Sequence, residues 1–169
     1  MDYEIIRRMM ARWIRLGSPG PAEFEAACAR LARAQAEGAA PILAWAQGDT
    51  RHLFALIAPL KYAPGRRQRW FSWAAASAAA TYRQFGLPAY VEGEALWLHG
   101  RKIADGAVST VGECALIASS FLARFPEQCV ATPPPDLEQA FRLRLEAQHG
   151  WQFDTSWPTE SETLHYALA

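Results

Sequence analysis

Three glycines, Gly93, Gly100 and Gly112, divide the stretch AYVEGEALWLHGRKIADGAVSTVGECALIASSFLARF into three or four short apolar runs. Short runs rich in large and β-branched residues, separated by glycine turns, are the pattern of an antiparallel meander. The sheet of this protein is therefore expected mainly here, and whatever surrounds it has to pack onto that sheet.

Upstream, Ile5, Ile6, Met9, Met10, Trp13, Ile14 and Leu16 recur at helical spacing, which predicts a helix over 3–16 ended by Gly17. Pro21 opens a second helix over 21–37, with Phe24, Ala27, Cys28, Leu31 and Ala32 as its apolar stripe and Gly38 as its stop. The runs PILAWA and HLFALIAPL flank the turn GDTR and predict a β-hairpin. An Ala-rich helix over 70–85 follows, suited to close packing on a sheet. Pro133 to Pro135 forbid regular structure, Asp136 is a good N-cap, and Gly150 closes a helix over 137–149. Trp151, Phe153 and Trp157 are expected to pin down a packed tail. The fold class expected is α+β: a mostly antiparallel sheet, in one or two parts, with the helices mainly on one side. The domain reading is one unit over 1–169, made of a helical prelude (1–38), a core (39–150) and a C-terminal tail (151–169).

With 169 residues, 51% of them hydrophobic, the chain can fill a core, and 17 basic against 17 acidic residues leave no global field to draw in nucleic acid or an anionic membrane. No run approaches the roughly 18 apolar residues that span a bilayer. The basic start carries Asp2 and Glu4 and lacks a continuous apolar stretch, unlike a targeting segment. Three cysteines without paired or metal spacing point to reduced thiols and a cytoplasmic setting. No nucleic acid, no membrane and no metal are expected as partners. The basic residues are 15 Arg and only two Lys, Lys61 and Lys102, so a retained lysine draws the eye.

The turn His99-Gly100-Arg101-Lys102, followed by Ile103-Ala104 and a small-residue strand, resembles the core of the biotin/lipoate protein ligase and octanoyltransferase superfamily. There a strand-turn-strand with a "GRKIAG" or "GKKISG" stretch supplies the lysine that touches the acyl carboxylate or acyl phosphate. The resemblance covers about residues 41–150 and assigns that role to Lys102, with the hairpin around Ala104 and Gly106 lining the slot. An ammonium suits the place, because acyl transfer builds negative charge on oxygen. Trp45 and Trp97 fall on strands that flank the acyl pocket in the superfamily, and His99 lies beside the lysine turn; the plain alternative for the tryptophans is core packing.

The resemblance implies biotin or lipoate as substrate, with ATP and Mg as the cofactors of the ligase branch and an acyl-carrier, lipoyl or biotinyl domain protein as partner; a homodimer or partner subunit is the further option. The departures are specific. The ligases' Asn-Asp ahead of the lysine strand is replaced by Gly93-Glu94-Ala95, their phosphate loop has no counterpart between Ala46 and Ala58, and Asp105 stands where Gly is usual. Arg66, Arg67 and Arg69 in PGRRQRWFS are the phosphate-binding candidates, against the alternative of a solvated turn or an RNA patch with Trp70 stacking. Octanoyltransferases instead use a cysteine to carry the acyl group, and Cys129 follows the long strand near where one branch keeps it, whereas Cys114 and the pair Ser119-Ser120 read as structural. The expected function is acyl binding or transfer with Lys102 at the acyl end. The alternative is a non-catalytic binding or dimerisation module on the same scaffold.

Overall fold

The computed structural model describes residues 8–125 and 136–164. A six-stranded sheet carries the chain: β1 (Met9–Arg15), β2 (Ile42–Ala46), β3 (Arg51–Pro59), β7 (Ala107–Val111), β8 (Cys114–Leu122) and β9 (Trp151–Ser156), in the order β7-β8-β3-β2-β1-β9. A smaller sheet is the meander β4 (Tyr90–Glu92), β5 (Ala95–Leu98) and β6 (Arg101–Asp105). The helices are α1 (Pro21–Arg33), α2 (Trp70–Gln84), α3 (Leu137–His149) and the short α4 (Glu160–Leu164). β1 runs parallel to both β2 and β9, and the remaining pairings are antiparallel.

The first expectation to fall is the helix over 3–16, because residues 9–15 are a central strand. Ala11 and Trp13 enter the core on one face while Ile14 enters it on the other. A strand buried on both faces has no polar face to give it away, so its adjacent apolar residues imitate helical spacing. The meander also differs from expectation, since it divides between two sheets at Gly106. A Cβ on Gly106 would overlap the Phe71 ring and lie 2.7 Å from the Glu94 carbonyl oxygen, so only glycine can make this crossing. Its N–H donates to that same oxygen at 2.8 Å.

The helices cover both faces rather than one. Under α2 and α3 lie Trp13, Trp45, Phe54, Phe121 and Phe153, met by Phe141 of α3. Under α1 lie Ile14, Ala44, Ala46, Ala55 and Ile57, met by Phe24, Cys28, Leu31 and Ala32. The tail is β9 followed by α4; Trp151 and Phe153 are buried as expected, but Trp157, past the strand end, is 71% exposed and pins nothing. At α3 the capping reading holds: the Asp136 carboxylate accepts from the Gln139 N–H at 3.0 Å, and Gly150 takes φ 68° at the C-terminus.

Candidate functional site: the lysine hairpin and the pocket beneath α1

The hairpin between β5 and β6 has a two-residue loop, His99-Gly100, with Leu98 opposite Arg101. Both loop residues have positive φ, 51° and 73°, the condition for a type I′ turn whose twist matches the strands. His99 thus holds an exposed turn position in the left-handed region, the one non-glycine among the described residues to do so. The turn fixes the register that places Lys102 opposite Trp97. Across the pair, Lys102 Nζ lies 5.8 Å from the centre of the Trp97 ring, whose indole N–H donates to the Glu92 carbonyl at 3.1 Å.

An irregularity then changes the alternation of β6. Trp97 pairs with Lys102, yet Ala95, two residues away on the same face, pairs with Asp105, so Ile103 is the extra residue of a bulge. The bulge brings Lys102 and Asp105 onto one face, and their side chains meet at 3.1 Å. Ala104 turns the other way and is buried against the α2 side of the core.

Past Asp105 the chain becomes the wall of a cavity of about 240 Å³. Asp105, Gly106 and Ala107 form one side, Leu53 of β3 with Leu116, Ala118, Ser119 and Ser120 of β8 the floor, and Phe24, Glu25 and Cys28 of α1 the roof. The register explains the space: Leu53 faces Ser120 and Ala55 faces Ala118, so small side chains alternate along the α1 side of the sheet. Burial pushes the Cys28 thiol up to about 12, so it lines the wall as a protonated, apolar group. Cys114 is likewise raised by burial.

Ser119 and Ser120 belong to this wall as well as to the strand. Ser119 Oγ donates to the Asp105 carbonyl at 2.9 Å, and Ser120 Oγ accepts from Arg51 at 3.1 Å. The same Arg51 nitrogen donates to the Ile103 carbonyl at 2.6 Å, tying the two sheets together beside the pocket. Arg51 was invisible as a site residue in the sequence, where it reads only as the start of a strand.

The other candidates are dispersed. Trp45 is buried on the α2 and α3 face, stacked with Trp13 at 6.1 Å and His52 at 5.5 Å, and does not line the pocket. Arg67 lies 5.8 Å from the Trp70 ring and donates to the Val108 carbonyl at 2.8 Å, while Arg66 and Arg69 are exposed. Trp70 itself is buried and its indole N–H donates to the Pro64 carbonyl, which leaves no open face for base stacking. Cys129 lies outside the described residues. Among the described residues no cluster of three or more His, Cys, Asp or Glu is placed to hold a metal ion, and no helix is long and apolar enough to cross a membrane.

No protein-family model and no curated protein sequence matches this chain. Solved structures do. A bipartite lipoate protein ligase from Thermoplasma acidophilum, studied with its E2 lipoyl domain, superposes with a TM-score of 0.77 at 13% identity, over 95% of this chain and 92% of that one. A T. acidophilum protein with bound lipoic acid gives 0.76 at 13% identity, over 95% of each chain. A biotin acetyl coenzyme A carboxylase synthetase from Helicobacter pylori, with bound biotinylated ATP, gives 0.54 at 16%, over 95% of this chain and 81% of that one. The fold is therefore that of the lipoate and biotin protein ligase catalytic core.

Proposed function

We propose that this chain binds a medium-length acyl group in the pocket beneath α1, with Lys102 at the polar end, and serves acyl transfer to a lipoyl- or biotinyl-type carrier domain. The observation that carries this reading is continuity: the strand presenting Lys102 runs directly into the pocket wall at Asp105, Gly106 and Ala107. An apolar slot whose wall residue Asp105 holds the Lys102 ammonium at 3.1 Å suits an acyl chain, whose tail gains by burial and whose carbonyl oxygen can meet that ammonium. The volume is slightly under the roughly 300–1,000 Å³ of drug-sized ligand sites, which suits a single chain better than a chain plus a nucleotide.

The lipoic acid bound to one protein of this fold supports the ligand class, and the lipoyl domain of the bipartite ligase supports a carrier protein or a second subunit as partner. ATP with Mg²⁺ is the activating cofactor that such a ligase employs. Among the described residues, no glycine-rich loop adjoins the pocket, and Glu25 and Asp105 at its rim are acidic, so no adenylation step is derived from them. Arg66 and Arg69 remain the exposed candidates for a phosphate, and Cys129 the candidate thiol for a thioester relay. A non-catalytic acyl-binding module is the second reading, favoured by two buried, protonated cysteines that offer no nucleophile.

Calorimetry with octanoate, lipoate and biotin tests the binding. Ala118→Phe fills the slot and is expected to weaken the acyl ligand at least about tenfold, the scale of a steric misfit in an apolar pocket; unchanged affinity would remove the pocket from the account. Mass spectrometry after incubation with ATP and Mg²⁺ separates the two readings, since acyl-adenylate from wild type but not from Lys102→Ala establishes a ligase half-reaction, and its absence with all three acids favours the module.

A further inference from the structure

The charged side chains that line the pocket are both acidic. Lys102 already has an anion, the Asp105 carboxylate at 3.1 Å, on the face that the β6 bulge creates. Asp105 itself lines the pocket, and Glu25 of α1 adds a second negative charge to the same lining. Lys102 and Arg51 stand outside that lining, Lys102 paired with Asp105 and one Arg51 nitrogen committed to the Ile103 carbonyl and to Ser120. Two anions in the lining leave no net attraction for an incoming carboxylate.

Resting on the acyl-binding reading above, we propose that Asp105 is a specificity-determining residue: by occupying the anion position of Lys102 it biases the pocket toward an uncharged acyl group, such as an ester, thioester or amide, and against the free acid. A free carboxylate has to displace Asp105 from the lysine and then sit beside two acidic groups. A neutral carbonyl accepts one hydrogen bond from the ammonium while Asp105 keeps another of its three protons. The lysine side chain is 47% exposed and the aspartate 83%, so the pair is solvent-screened and the discrimination is modest rather than absolute.

Octanoate and octanamide, equal in chain length and different in charge, are the probes. Titrated calorimetrically into the wild-type protein, octanamide is expected to bind roughly threefold to fivefold more tightly, a range set by the worth of an exposed ion pair. Asp105→Asn keeps the shape and removes the charge: octanoate should gain about the same factor and octanamide stay within about a factor of two. Adding Lys102→Met to Asp105→Asn should abolish the gain. Circular dichroism of each variant verifies the fold, which a highly exposed position tolerates. Equal octanoate affinity in wild type and Asp105→Asn would overturn the role of Asp105 while leaving the pocket in place. Failure of wild type to bind either probe would overturn the acyl-binding reading and this inference with it.

Discussion

The two faces of the six-stranded sheet are both covered by helices, yet they are filled in opposite ways. On the α2 and α3 face, Trp13, Trp45, Phe54, Phe121, Phe141 and Phe153 interlock, with ring centres as close as 4.8 Å. On the α1 face, Leu53, Leu116, Ala118, Ser119 and Ser120 floor a cavity of about 240 Å³ that α1 roofs without filling. Interlocked rings close the first face, while the short side chains of Ala118, Ser119 and Ser120 leave a pocket in the second.

That contrast predicts its largest effect in stability. Phe141→Ala removes a ring that touches Trp13, Trp45, Phe54 and Phe121, and should cost about 3–5 kcal/mol by urea denaturation. Ala118→Phe, on the other face, should cost less than about 1.5 kcal/mol because the ring has a cavity to enter. Similar losses from both changes would mean that the pocket face is packed like its opposite.

The faces should also separate by pH. His149 stacks on Trp151 at 4.4 Å and meets Trp73 at 4.9 Å beside the α2 and α3 face, where burial lowers its pKa to about 4. An unfolded histidine titrates near 6.5, so between about 6.5 and 4 the unfolded chain binds the extra proton and stability falls as pH falls. After allowance for partial exposure this is worth about 1–2 kcal/mol, and His149→Phe should remove it.

Glu162 belongs to the α1 side, where α4 packs on α1. Burial alone would raise its pKa, but hydrogen bonds from Arg12, the Thr159 N–H and Gln35, together with the Arg12 charge, bring it down to about 2. Its stabilisation is complete above the unfolded value near 4.5 and is lost as pH falls toward 2, a window distinct from that of His149. Glu162→Gln should abolish this lower window, worth roughly 2 kcal/mol, and leave the upper one intact. A single shared acid transition insensitive to both substitutions would contradict the separation.

The sequence disclosed those parts of the fold that local chemistry dictates. Asp136 and Gly150 bracket α3, the GDTR turn sets the β2 and β3 hairpin, and His99-Gly100 presents Lys102. β1 was hidden because its strand partners, β2 and β9, lie far along the chain, and because Trp13 packs into the core on one face and Ile14 into the core on the other. The pocket was hidden for a related reason: Phe24, Leu53, Asp105 and Ala118 come from four separate elements and carry no motif. Seven tryptophans drew attention instead, and Trp45 went to the filled face. Ala118 and Ser120, two apart in CALIASSFL, were the available signal, since on a strand they share one face.

The smallest effect on stability is expected at Lys102. Lys102→Ala should change it by less than about 0.5 kcal/mol, because an exposed ion pair contributes little. The same change should weaken acyl binding, which calorimetry reads directly. A large loss of stability would make the lysine a structural residue rather than a ligand contact.

The most direct test is a crystal structure with octanamide bound. The account predicts the chain between Phe24 and Cys28 of α1 and Leu53 and Leu116 of the sheet, with its carbonyl oxygen within hydrogen-bond reach of Lys102. A ligand seated among the aromatic residues of the opposite face, or on the surface away from Lys102, would contradict it.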